Sequence, residues 1–128
     1  MTQQSGDIII APRVLEKIIA IATAKVDGVH SFANKNMSDS LIKNNSSRGV
    51  YIEDMQADEK VVDIYLYLEY GVSVPNLAME IQKTVKTAVR NYLEMELAAV
   101  NLHVAGIVPE KTPKPDLKDL FNEDFLND

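Results

Sequence analysis

The chain has 128 residues, a formal net charge of -6 and no cysteine. That length suits one domain with a real core and hardly two, and the acidic balance argues against a general nucleic-acid binder or direct attachment to an anionic membrane. The missing thiols exclude disulfides, thiol catalysis and zinc or iron–sulfur sites built on thiolates. A hydrophobic share of 46% beside 25% charged residues is that of a soluble globular protein.

The opening MTQQSGD lacks the basic start and long apolar stretch of a signal peptide. The apolar runs further along are too short and too interrupted to span a bilayer. The expectation is a cytoplasmic protein without direct membrane insertion.

Ile8, Ile9 and Ile10 form a short apolar run ended by Pro12, which predicts a first strand and then the first turn of a helix. From residue 13 to 26 the spacing is helical. Leu15, Ile18, Ile19, Ala22 and Val26 make one stripe, widened by Val14 and Ile21, while Glu16, Lys17, Thr23 and Lys25 lie mainly toward solvent. Gly28 follows as a C-terminal cap. Residues 30–48 show the weakest pattern, rich in Asn and Ser, with Met37, Leu41 and Ile42 as clustered apolar residues. A stretch this long is either a functional loop or a tolerated insertion, and the second reading is favoured.

Residues 50–53 read as a strand, and the polar stretch 54–60 turns the chain into the longest strand, VVDIYLYLEY at 61–70. Val62, Ile64, Leu66, Leu68 and Tyr70 share its core face, and Val61, Asp63, Tyr65, Tyr67 and Glu69 share the other. The two strands predict an antiparallel hairpin. Tyr65 and Tyr67 serve cross-strand packing or, as the second choice, an interface.

Ser73 and Pro75 open a second helix whose stripe runs through Leu77, Ile81, Val85, Ala88 and Tyr92, widened by Ala78, Val89 and Leu93. A last strand follows, with Val100, Leu102 and Val104 alternating against Asn101, His103 and Ala105. Pro109, Pro113 and Pro115 then mark the end of the domain, expected over residues 1–108. In the acidic tail at 109–128, Leu117, Leu120, Phe121 and Phe125 fall on one side of a short amphipathic helix. Docking on its own domain, docking on a partner and a disordered tail all remain open for it.

Together these elements predict an α+β fold of the α/β class. It is a two-layer sandwich, with a four-stranded mixed sheet and two helices on one face, in the order β-α-β-β-α-β. Chemistry is harder to find. There is no Gly-rich phosphate loop, no metal-spaced cluster, and the two histidines, His30 and His103, lack the context of a catalytic base. No enzyme class and no cofactor is expected.

The segments GDIIIAPRVLEKIIAIATAKVDGV at 6–29, RGVYIE at 48–53, VVDIYLYLEYG at 61–71, EIQKTVKTAV at 80–89 and VNLHVAGIV at 100–108 stand in a distinctive order. In that order and spacing the chain resembles the alkaline-shock protein family, cell-envelope stress proteins of Gram-positive bacteria. Two departures stand out: YLEMELAAVN after the second helix, where many relatives have a Met-Thr-Gly-like turn, and the acidic tail.

The resemblance implies a cytoplasmic protein with no transferable catalytic residue. It also implies protein partners, membrane association of some members through an anchored partner, and self-association of others. The expected function is therefore non-enzymatic binding or scaffolding in the envelope stress response, with no nucleic-acid partner. Tyr65, Tyr67, Leu117, Leu120, Phe121 and Phe125 are the candidate contact residues. The alternative is a regulator or small-ligand binder linked to fatty-acid or lipid metabolism, which needs an apolar pocket between sheet and helices or under the 30–48 stretch.

Overall fold

The computed structural model describes residues 6–34, 49–55 and 59–109. Two helices, α1 (Pro12–Ala24) and α2 (Val74–Leu93), and four strands, β1 (Val29–Phe32), β2 (Val50–Asp54), β3 (Lys60–Glu69) and β4 (Ala99–Val108), run in the order α-β-β-β-α-β. The class is as expected: both helices pack on one face of a four-stranded mixed sheet. One strand sits elsewhere than predicted. Ile8–Ile10 form no strand, and the first strand instead lies after α1, at the start of the stretch read as a loop. Ile8 and Ile9 are 88% and 89% exposed, so their β-branched run has no sheet partner within the described residues.

β3 is the spine. The expected hairpin forms, with β2 antiparallel to its first half from Asp54↔Lys60 to Val50↔Ile64. β1 is antiparallel to its second half, from Phe32↔Leu66 to Val29↔Leu68. The Tyr65 carbonyl accepts from the Ala33 N–H, and the Tyr65 N–H donates to the Gly49 carbonyl, each at 2.8 Å. A strand residue aims its N–H and C=O at the same neighbour, so β1 and β2 lie end to end along one side of β3. Ala33 and Gly49 thus meet β3 at the same sheet position. β4 fills the other side in parallel, from Val61↔Ala99 to Glu69↔Val108, with Ala105 as the extra residue of a bulge.

The core closes on the even-numbered residues of β3. Val62, Ile64, Leu66 and Leu68 meet Leu15, Ile19 and Ala22 of α1 and Leu77, Ile81, Val85 and Val89 of α2. Each large aliphatic side chain buried there contributes about 1.5–3 kcal/mol by leaving water. Three stripe assignments need correction. Thr23 is fully buried rather than solvent-facing, and its hydroxyl donates to the Ile19 carbonyl at 2.8 Å, which removes the cost of burying it. Val14 is exposed, and Tyr92 is 75% exposed. The α2 stripe advances strictly by four residues to Val89, which rotates Tyr92 away from the sheet.

α2 ends at Glu94, which takes the left-handed conformation at φ 56. Ser73 occupies the N-cap position without a side-chain capping bond.

Candidate functional site on the outer sheet face

The helices cover one side of the sheet. The odd-numbered residues of β3 point to the other side and are only half-buried. Period-two alternation places them there, and the registers decide what they meet. Tyr51 of β2 stands opposite Asp63. On the other flank, Asn101 stands beside Asp63 and His103 beside Tyr65.

The side chains form one connected group. Asp63 Oδ1 accepts from Asn101 Nδ2 at 3.2 Å and lies 2.9 Å from His103 Nε2. The His103 ring is stacked on Tyr65, with centroids 4.1 Å apart and planes 7° from parallel. Tyr51 meets the same tyrosine edge-on at 5.6 Å and 86°. Such ring pairs contribute about 0.5–1.5 kcal/mol beyond their buried area. The imidazole is thus held by a carboxylate at its edge and a phenol on its face.

Tyr67 follows on the same face, opposite Gly106. A Cβ on Gly106 would sit 3.2 Å from two carbons of the Tyr67 ring, so the glycine is what lets that ring lie across β4.

Of the residues expected to make contacts, Tyr65 and Tyr67 are brought onto this face. Leu117, Leu120, Phe121 and Phe125 lie outside the described residues. Sequence reasoning missed Tyr51, Asn101 and His103 as parts of the group. Alternation already placed Asn101 and His103 on the polar side of their strand, but their register against β3 crosses a helix and is not readable from spacing.

Elsewhere, a cavity of about 230 Å³ opens between the start of α1 and the β2–β3 hairpin, lined by Leu15, Ile52 and Met95, with Glu16, Asp54 and Lys60 among the polar residues. It is smaller than the roughly 300–1,000 Å³ usual for small-molecule sites. Among the described residues, no group of three His, Cys, Asp or Glu side chains could hold a metal ion. No described helix is long and apolar enough to cross a membrane.

Residues 1–109 match the profile of the ASP23 family, described as having a cell envelope-related function. The chain belongs to this family. It is 56% identical to the uncharacterised protein Spy1535 of Streptococcus pyogenes over 127 residues, covering 99% of this chain and 98% of the relative. It is 31% identical to the uncharacterised YqhY of Bacillus subtilis, over 80% of this chain and 77% of that protein. A stress response regulator gls24 homolog of Streptococcus pyogenes is 29% identical, over 80% of this chain and 59% of its own length. No solved structure matches. Family membership confirms the alkaline-shock resemblance and carries a cell envelope-related function.

Proposed function

We propose that this ASP23-family protein is a non-enzymatic binding or scaffolding protein of the envelope stress response, working through protein–protein contacts. The observation that carries this reading is the outer sheet face, where Tyr51, Tyr65 and His103 form an ordered ring platform on the side of the sheet away from both described helices. Tyrosines are enriched where proteins meet, because they present a rigid apolar body and a polar tip at low entropic cost. On this reading the protein works in the cytoplasm, and a membrane-anchored partner holds it at the envelope.

Affinity capture of the crosslinked full-length protein from membrane and soluble fractions tests it. A discrete partner is expected with the wild type, and Tyr65→Ala or Tyr67→Asp should reduce its recovery. Equal recovery with both variants, each verified as folded, would remove this face as the contact. The alternative, a small-ligand regulator of lipid metabolism, draws on the cavity under α1. Its size limits an enclosed occupant to a short acyl group, and thermal shift with short- and medium-chain fatty acids separates the two readings.

A further inference from the structure

We infer that the outer edge of β4 takes up an extended, acidic segment of a protein partner as a fifth strand of the sheet. This inference rests on the protein-contact reading above and adds a second contact, with its chemistry. Tyr65 turns both main-chain groups toward β1 and β2, so by alternation the even residues of β3 turn theirs toward β4. Leu66 stands beside Val104 in the parallel register. In a parallel ladder the bonded partners are the neighbours of the residue alongside, so Val100, Leu102 and Val104 aim their own N–H and C=O away from β3. Beyond the bulge, the Val108 carbonyl accepts from the Tyr70 N–H at 2.9 Å, which leaves Ile107 turned outward.

α2 closes the start of this edge, where Gln82 Nε2 donates to the Val100 carbonyl at 3.1 Å. From Leu102 on, no hydrogen bond reaches the outward main-chain groups among the described residues. The side chains there are open too, with Val104 41% and Ile107 48% exposed. Natural sheets blunt a long edge with proline, charged residues or cover. The run AVNLHVAGIV of β4 holds no proline and no charge, and only the bulge at Ala105 interrupts it. The opposite edge differs, being made of the short strands β1 and β2 and broken between Ala33 and Gly49. An open row of N–H and C=O groups selects extended backbone.

The flank of α2 selects the charge. The Gln82 bond shows which flank faces the edge, and Met79 and Lys86 lie on that flank, one turn to either side. Met79 is exposed and extends the apolar surface of Val104 and Ile107. Lys86 contributes to the charge around Glu96, whose carboxylate Arg90 holds, and makes no hydrogen bond or ion pair of its own among the described residues. A segment with alternating apolar residues and a carboxylate at the Lys86 end therefore complements both the main chain and the flank, and a basic one is repelled.

Fluorescence anisotropy with the full-length protein and the labelled peptide Glu-Thr-Val-Thr-Val-Thr-Glu, which reads the same in either strand direction, tests the inference. N-methylation of alternate amides separates strand addition from other contacts, because only every second residue of an added strand bonds to the edge. One alternate set should weaken binding by roughly tenfold or more, and the other should leave it within about twofold. Replacing both glutamates by lysine should weaken it about threefold, less as salt rises, and Lys86→Gln should remove that difference. Val104→Pro should abolish binding. The Val104 N–H faces outward, so proline blocks the edge without removing a bond to β3.

No binding of the glutamate peptide, equal effects of the two methylation patterns, or full binding by folded Val104→Pro would overturn the inference. So would sedimentation showing a dimer that Val104→Pro dissociates, because a second copy then holds the edge. The contact reading fails separately. In the capture experiment, a partner lost with Tyr65→Ala and kept with Val104→Pro rejects the edge alone, whereas no discrete partner with the wild type rejects the contact reading whatever the peptide does.

Discussion

Ala33 and Gly49 converge on one residue, Tyr65, one bonding its carbonyl and the other its N–H. Two sequence-distant residues thereby act as neighbours in a single interrupted edge strand. Gly49 has φ +85, and a Cβ there would stand 2.7 Å from the Cβ of Phe32. Both the backbone conformation and the space demand glycine. Gly49→Ala is expected to lower unfolding free energy by about 2–3 kcal/mol, read by urea denaturation with an unchanged slope.

The Tyr65–His103 stack joins strands that are contiguous only in the folded chain. A double-mutant cycle with Tyr65→Leu and His103→Leu should give a coupling energy of about 0.5–1.5 kcal/mol. A coupling near zero would mean that the rings lie together without holding each other.

Gly106 and Tyr67 show the same dependence of a surface side chain on a missing atom. Gly106→Ala should force the Tyr67 ring off β4, at a stability cost of about 1–2 kcal/mol. Capture of a partner through this face should weaken alongside it. The aromatic NMR resonances of Tyr67 should shift, while those of core Ile81 stay in place.

Glu94 ends α2 in the left-handed region, where glycine has no Cβ penalty. Glu94→Gly is therefore expected to stabilise the protein by about 1 kcal/mol, measured as a rise in the urea midpoint. A fall would mean that the glutamate side chain contributes more than its backbone conformation costs.

Near the same helix end, Arg90 donates to Glu96 through Nε at 2.8 Å and through Nη2 at 3.3 Å. That hydrogen bond, reinforced by the arginine charge, lowers the Glu96 pKa. A carboxylate depressed in the folded state adds stability above its unfolded pKa and loses it as pH falls through the folded value. Arg90→Gln should then lower Tm slightly at neutral pH, with the gap to wild type closing in acid. The pair is exposed, so added salt should shrink the neutral-pH gap too.

How much of this was legible from residues alone depends on the range of the interaction. The hairpin, the helix stripe through Leu77, Ile81 and Val85, and the two faces of β3 follow from period and propensity, which act over a few residues. Ile8–Ile10 and Val29–Phe32 show the limit. Both are short β-prone runs of similar promise, and only pairing with Leu66, Tyr67 and Leu68 made the second a strand. Thr23 shows another limit, since a hydroxyl bonded to its own helix is as easily buried as an apolar side chain.

Alternation along each strand determined that Asp63, Tyr65, Asn101 and His103 would face away from the apolar core. Tertiary structure decided that they meet. Their contact depends on the register of β4 against β3 across α2, and that register is set by how the helix packs, a sum of many weak long-range contacts that no local pattern encodes.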